Sequence, residues 1–192
     1  ELGLRRAAVI FDQTSEYSMG LTGDFIRSFL ALGGAIVAIE NYLPGDTDFK
    51  TQLAAIAKAR PDILFMPAYF NEGVQIMMQA RAFGATYRIM GGDAMDNPTT
   101  PSLVREAVEG FMHTTFPYDP NMPDMTPEAK NFTEAWLAAY NKEPGPNAAA
   151  GYNAYHLLLE GIRRAGSTDP EAIGKALVGI KDLPGVLGPV SI

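Results

Sequence analysis

The sequence predicts an α/β protein built on a doubly wound parallel sheet. Three observations carry this expectation. Short apolar runs alternate with amphipathic stretches of helical period from residue 6 to residue 115. Glycines follow the amphipathic stretches, at Gly33-Gly34 and at Gly84, where a helix C-terminus favours them. Each strand is separated from the next by a helical stretch, and that order argues for crossover connections and parallel pairing.

Residues 6–11, Arg-Ala-Ala-Val-Ile-Phe, are apolar without alternation, as a strand covered on both faces should be. Residues 17–32 carry Leu21, Phe25, Phe29 and Leu32 at helical spacing. A second strand is expected at 35–39. Gly45-Asp46-Thr47-Asp48 reads as a turn that supplies an N-cap to a helix running to about residue 60, with Leu53, Ile56 and Ala57 inside. Pro61-Asp62 leads into a strand at 63–66. A helix at 72–83 sets Val74, Met77, Met78 and Arg81 on one face, with the two methionines as core filler. A strand at 88–90, a short helix at 102–107 and a strand at 110–115 complete the first region.

From Phe116 the texture changes. Four prolines, Pro117, Pro120, Pro123 and Pro127, make residues 116–127 a loop or crossing segment. Thr126-Pro127 reads as N-cap and first helical residue, opening a helix that buries Phe132, Ala135, Trp136 and Ala139. After a loop at 143–147, a helix at 148–165 is expected to bury Tyr152, Tyr155, Leu158, Leu159 and Ile162. Thr168-Asp169-Pro170-Glu171 reads as a capping box for a last helix to about Val178. The resulting domain expectation is an α/β unit over 1–116 and a helical segment over 117–192.

Composition narrows the function classes. The chain has 192 residues, 47% hydrophobic and 19% charged, which suits a globular core rather than a disordered chain. A net charge of -7 and no basic stripe argue against nucleic acid as a partner. The absence of cysteine removes disulfides, thiolate metal sites and thiol nucleophiles. No run approaches the ~18 apolar residues of a membrane span. The first residue is Glu1 and a strand begins by Arg6, so the start reads as a cut inside a longer protein, without a signal segment. The end, Gly188-Pro189-Val190-Ser191-Ile192, reads as a strand just beginning.

In a doubly wound sheet, ligands bind beyond the carboxyl ends of the strands. The loops expected there are Asp12-Gln13-Thr14-Ser15-Glu16-Tyr17, Pro67-Ala68-Tyr69-Phe70-Asn71-Glu72 and Gly91-Gly92-Asp93-Ala94-Met95-Asp96-Asn97. Together they offer Tyr17, Tyr69 and a carboxylate, Asp93, in a glycine turn. A carboxylate neutralises an ammonium, and tyrosine rings cover apolar atoms while their hydroxyls hydrogen-bond. That set suits a zwitterionic amino acid. Blander readings stand beside it: Tyr17 as a first-turn helix residue, Tyr69 as a loop aromatic, Asp93 as a turn cap.

Enzyme signals are weak. The only histidines, His113 in an apolar strand and His156 beside leucines, read as packed structural residues. No nucleophile elbow, phosphate loop or zinc-protease motif is present. The pairs Asp93/Asp96 and Asp46/Asp48 carry the donors for a hard cation, but such loop carboxylates are more often caps. No cofactor, metal site or catalytic residue is expected.

At these loops the chain resembles the leucine/isoleucine/valine-type (type I) periplasmic solute-binding proteins of ABC transporters. The resemblance rests on Val9-Ile10-Phe11-Asp12 with Ser15-Glu16-Tyr17-Ser18-Met19-Gly20, on Gly45-Asp46-Thr47-Asp48-Phe49, and on Pro67-Ala68-Tyr69-Phe70-Asn71-Glu72. It also rests on Gln79-Ala80-Arg81-Ala82-Phe83-Gly84 and Gly91-Gly92-Asp93-Ala94-Met95-Asp96. It is dense over residues 6–115 and looser through Gly151-Tyr152-Asn153-Ala154-Tyr155 to Gly185-Val186-Leu187-Gly188-Pro189-Val190. The family implies a two-lobed fold that closes on its ligand and delivers it to an ABC permease, in the periplasm or outside the cell. By the resemblance, residues 1–116 are the second lobe, and residues from about 117 return to the first lobe. Tyr17 stacks on the ligand, Tyr69 lines the pocket and Asp93, where other members carry Glu, takes the α-amino group. The first lobe's opening strands, which supply the α-carboxylate site, would precede Glu1. The implied ligand is an amino acid of branched-chain or other apolar type, or a similar small molecule. A ligand-sensing receptor domain of the same fold is the alternative.

Overall fold

The computed structural model of the chain describes residues 2–96 and 105–192. It divides into two compact units, Glu1–Thr115 and Phe116–Ile192.

The first unit runs β1 (Arg6–Asp12), α1 (Glu16–Ala31), β2 (Ala35–Tyr42), α2 (Lys50–Ala59), β3 (Ile63–Met66), α3 (Phe70–Ala82), β4 (Arg88–Gly91) and β5 (Phe111–His113). The strands form one sheet in the order β2-β1-β3-β4-β5. Every pairing is parallel. The chain winds outward from β1 to β2, then reverses across β1 to β3, so the topological switch point lies between β1 and β3. This is the predicted doubly wound sheet.

Strand alternation sorts the core into two faces. Ala8 and Ile10 of β1 and Leu64 and Met66 of β3 pack with Leu53 and Ile56 of α2 and Ile76 and Met77 of α3. Val9 and Phe65 point the other way, toward α1, where the Phe65 ring stacks on Phe25 at 4.2 Å between centroids. The floor of the sheet is tied by Asp62, whose Oδ2 accepts the backbone N–H groups of Arg5 and Arg6, both at 2.8 Å.

Several expected faces shift. Leu32 lies past the end of α1 and is 77% exposed. On α3 the buried set is Gly73, Ile76, Met77 and Ala80, whereas Met78 is exposed and Arg81 turns its guanidinium onto the carbonyls of Ala85 and Tyr87. Ala57 is exposed, and α2 buries Leu53 and Ile56 alone. The helix expected at 102–107 lies largely outside the described residues, of which Arg105–Val108 form a single 3-10 turn. His113 is exposed, not packed, because it closes a strand of only three residues.

The second unit contains α4 (Pro127–Tyr140), α5 (Pro146–Ala165) and α6 (Pro170–Val178). Thr126 caps α4 as expected, its Oγ1 accepting the Ala129 N–H at 3.1 Å. The expected capping box at α6 moves by one residue. Asp169 is the N-cap, with Oδ1 accepting Ala172 N–H at 2.9 Å, and Glu171 instead pairs with Lys175 one turn on. A small core holds Tyr118, Ala129, Phe132, Ala149 and Val186. The Tyr118 and Thr133 hydroxyls meet there at 2.7 Å. Leu183 and Val190 form an antiparallel bridge near the end of the chain.

Within this unit the apolar stripes of α4 and α5 are largely uncovered. Ala135 and Ala139 are exposed, and so are Tyr152, Tyr155, Leu158 and Leu159. His156 is exposed as well, beside the Tyr152 ring at 4.3 Å. Phe132, Trp136, Tyr140, Tyr152 and Tyr155 border an open groove of about 430 Å³. The helical period marked the stripe correctly, but the second unit buries only part of it. No helix among the described residues is long and apolar enough to cross a membrane.

Candidate functional site

The carboxyl ends of β1, β3 and β4 deliver the three predicted side chains to one rim, on either side of the switch point. β1 ends at Asp12, which is 4% exposed and accepts both the backbone N–H and the hydroxyl of Thr14 at 2.8 Å. That turn brings Ser15 into position to cap α1, its Oγ accepting the Ser18 N–H at 3.2 Å. Tyr17 therefore stands on the first turn of α1. Ser18, fully buried, donates its hydroxyl to the Pro67 carbonyl at 2.6 Å and accepts the Asp12 N–H at 3.0 Å. One side chain thus locks the loop after β1 to the loop after β3.

After β3, the chain turns at Pro67-Ala68 and enters α3 with Tyr69 as its N-cap residue. Tyr69 is half exposed, and its ring stacks on Tyr17 with centroids 5.3 Å apart and planes 26° from parallel. The two rings lie against each other, which leaves no space between them.

After β4, Gly91-Gly92 lead into a 3-10 turn, Asp93–Met95, whose Met95 side chain is buried. Two glycines keep this approach open. A Cβ on Gly92 would lie 2.3 Å from the Tyr17 hydroxyl, and one on Gly73 would lie 2.3 Å from the Met95 sulfur. With those spaces open, the Tyr17 hydroxyl donates to Asp93 Oδ1 at 2.9 Å and accepts the Ala94 N–H at 3.2 Å. Burial pushes the Tyr17 phenol up to about 12, and the bond to Asp93 adds to the rise. Tyr17 is consequently a protonated donor across the physiological range.

A second polar group lies nearby. Tyr42 ends β2 directly beside Asp12 in the register, and its hydroxyl is buried without a hydrogen-bond partner among the described residues. Burial, and next the neighbouring Asp12 carboxylate, raise its phenol well above the ordinary tyrosine range.

Tyr17, Tyr69 and Asp93 are thus in one cluster. The other carboxylates weighed from sequence are engaged separately. Asp96 accepts the Thr115 hydroxyl, Asp46 accepts the Leu43 N–H at 2.9 Å, and Asp48 accepts the Lys50 N–H at 3.1 Å. Among the described residues, no group of three or more His, Cys, Asp or Glu side chains converges as a metal site would need. The sequence assigns no role to Ser18, Gly92 or the Ala94 N–H. A serine in a helix and a second glycine in a turn carry no signal until their neighbours are known.

An α/β lobe that gathers its strand-end loops at a switch point is the architecture of a small-molecule binding lobe. The chain belongs to the periplasmic binding protein family, which matches it over residues 1–192. A leucine-binding protein from Thermotoga maritima superimposes on the whole chain with a TM-score of 0.90 at 38% identity, the match covering 54% of that protein. A branched-chain amino acid transporter substrate-binding protein from Streptococcus pneumoniae, solved with isoleucine, superimposes on the whole chain with a TM-score of 0.82 at 29% identity, covering 53% of that protein. The Leu/Ile/Val/Thr-binding protein of Salmonella typhimurium is 29% identical over 188 residues, 97% of this chain and 49% of its own length. The chain spans about half the length of these relatives. The resemblance read from the loops therefore holds, and the fold is that of a type I periplasmic binding protein lobe.

Proposed function

We propose that the parent protein is an extracytoplasmic solute-binding protein that captures an amino acid of branched-chain or other apolar type and hands it to an ABC permease. In this reading residues 1–116 form the lobe that grips the ligand, and residues 117–192 are a helical return into the other lobe. Tyr69 and Tyr17 present an aromatic surface to the ligand's apolar side chain, and Asp93 takes its ammonium. The protein binds without chemistry and is not an enzyme.

The observation that carries the reading is the Asp93 carboxylate beside the Tyr17–Tyr69 stack, at the switch point of the sheet. Asp93 Oδ1 receives the Tyr17 hydroxyl, and Oδ2, which has no hydrogen bond among the described residues, is available to a donor from the ligand. The names of the relatives agree, since they bind leucine, isoleucine, valine and threonine. An ion pair at an open rim contributes little, so tight binding requires a second surface that closes over it and excludes water.

The test is titration calorimetry of the full-length protein with L-leucine, L-isoleucine and L-valine. Asp93→Ala is expected to abolish binding. Affinity unchanged by that substitution, or no binding of any amino acid by the unaltered protein, defeats the assignment.

A further inference from the structure

We infer that Tyr17 is a positioning residue whose hydroxyl holds the Asp93 carboxylate for a ligand ammonium, and that Gly92 is the space in which it does so. The inference rests on the reading of Asp93 as the ammonium site and adds what sets that carboxylate.

Two polar contacts commit the Tyr17 hydroxyl. It accepts the Ala94 N–H at 3.2 Å and donates to Asp93 Oδ1 at 2.9 Å. A phenol has a single proton to donate. With the Ala94 N–H on its lone pair and Asp93 on its proton, Tyr17 has no donor left for a ligand, so its polar effect reaches the ligand only through Asp93. The ring is committed too, since it stacks on Tyr69 at 5.3 Å. Tyr17, on the first turn of α1, is therefore held by contacts to the Asp93 turn and to the loop after β3. Gly92 completes the device, because any Cβ there would meet the Tyr17 oxygen at 2.3 Å, with Cζ at 3.3 Å.

The consequence is a preference among ligand classes. A carboxylate held on one oxygen by a phenol, with no hydrogen bond to its other oxygen among the described residues, accepts hydrogen bonds and offers none. It favours a ligand with a protonated amine and disfavours the same carbon skeleton carrying only a carboxylate. Loss of the Tyr17 hydroxyl should thus weaken ammonium-bearing ligands selectively, whereas general damage to the lobe would weaken all ligands alike.

The experiment uses the full-length protein, with L-leucine and its des-amino analogue 4-methylpentanoate as probes, measured by calorimetry and competition. Tyr17→Phe keeps the ring and removes the hydroxyl. Gly92→Ala keeps both polar residues and displaces the contact. Tyr17→Phe and Gly92→Ala are each expected to weaken leucine about tenfold, the scale of a hydrogen bond to a charged group, while 4-methylpentanoate changes less than about twofold. Equal losses for both probes overturn the positioning role. If Asp93→Ala abolishes leucine binding while Tyr17→Phe and Gly92→Ala do not weaken it, this inference fails alone. If Asp93→Ala leaves leucine binding intact, the ammonium reading fails and takes the inference with it.

Discussion

The side-chain amide of Gln79 closes on the backbone of Phe49: its Oε1 accepts the Phe49 N–H at 2.9 Å, and its Nε2 donates to the Thr47 carbonyl at 2.9 Å. Phe49 is fully buried, and its N–H relies on that acceptor. One residue of α3 thereby fixes the loop between β2 and α2. Gln79→Ala leaves a buried N–H without a partner, which costs about 1–3 kcal/mol. Urea denaturation should show a lower midpoint with an unchanged slope.

Asp62 makes stability depend on pH. Its carboxyl is held below the ordinary carboxylate range by the N–H groups of Arg5 and Arg6, and also by the Arg6 charge. The folded value is depressed, so its contribution is present above the unfolded value of about 3.9 and is lost as pH falls through the folded value. Asp62→Asn should therefore melt lower than the unaltered protein at pH 7. The gap should narrow as pH falls below 4 and vanish in strong acid. A gap that is constant with pH would show that charge at Asp62 is not the cause.

Tyr42 carries a buried hydroxyl without a hydrogen-bond partner among the described residues. Its ring meets Phe49 edge-on at 5.5 Å, a contact that phenylalanine preserves. Tyr42→Phe removes the cost of desolvating that hydroxyl and is expected to stabilise the protein by about 1 kcal/mol. A lower melting temperature would instead reveal a buried water that joins the hydroxyl to its neighbours.

Gly161 and Gly174 are a matched pair on packed helices. A Cβ on Gly161 would meet Leu177 Cδ2 at 2.8 Å and Ile173 Cγ2 at 3.2 Å, whereas one on Gly174 would meet nothing within 4 Å. Alanine gains helix propensity at both, up to about 1 kcal/mol. Only at position 161 does overpacking of about 1–3 kcal/mol oppose it. Gly174→Ala should raise the unfolding midpoint and Gly161→Ala should lower it. Equal shifts would refute close packing of α5 on α6.

Much of this architecture was legible in residue order. The strand at Ile63–Met66 matches the expectation residue for residue, and β1 and β4 each extend it by one residue. Unbroken apolar runs of that length have few other uses. β2 was read short, because Glu40 and Asn41 interrupt the apolar pattern although they lie on a sheet edge where polar side chains are tolerated. The helical faces were read less well. Met78, Tyr155 and Leu159 are apolar by type and exposed in place, since periodicity marks a stripe without specifying what packs on it.

At the rim, the order of loops was enough to bring Tyr17, Tyr69 and Asp93 to one edge, because a parallel sheet with crossover helices sends every strand-end loop to the same side. Local sequence reached that far, since strand period, helix period and connection handedness all act over short stretches of chain. It did not reach the contacts that join residues far apart. The Tyr17 hydroxyl on Asp93, the ring of Tyr17 on Tyr69 and the Ser18 hydroxyl on the Pro67 carbonyl span intervals of 76, 52 and 49 residues. Such contacts depend on angles and on the space beside Gly92, which exist once the sheet has twisted and packed. Residue order therefore placed the groups at one edge, and packing in three dimensions determined which group holds which.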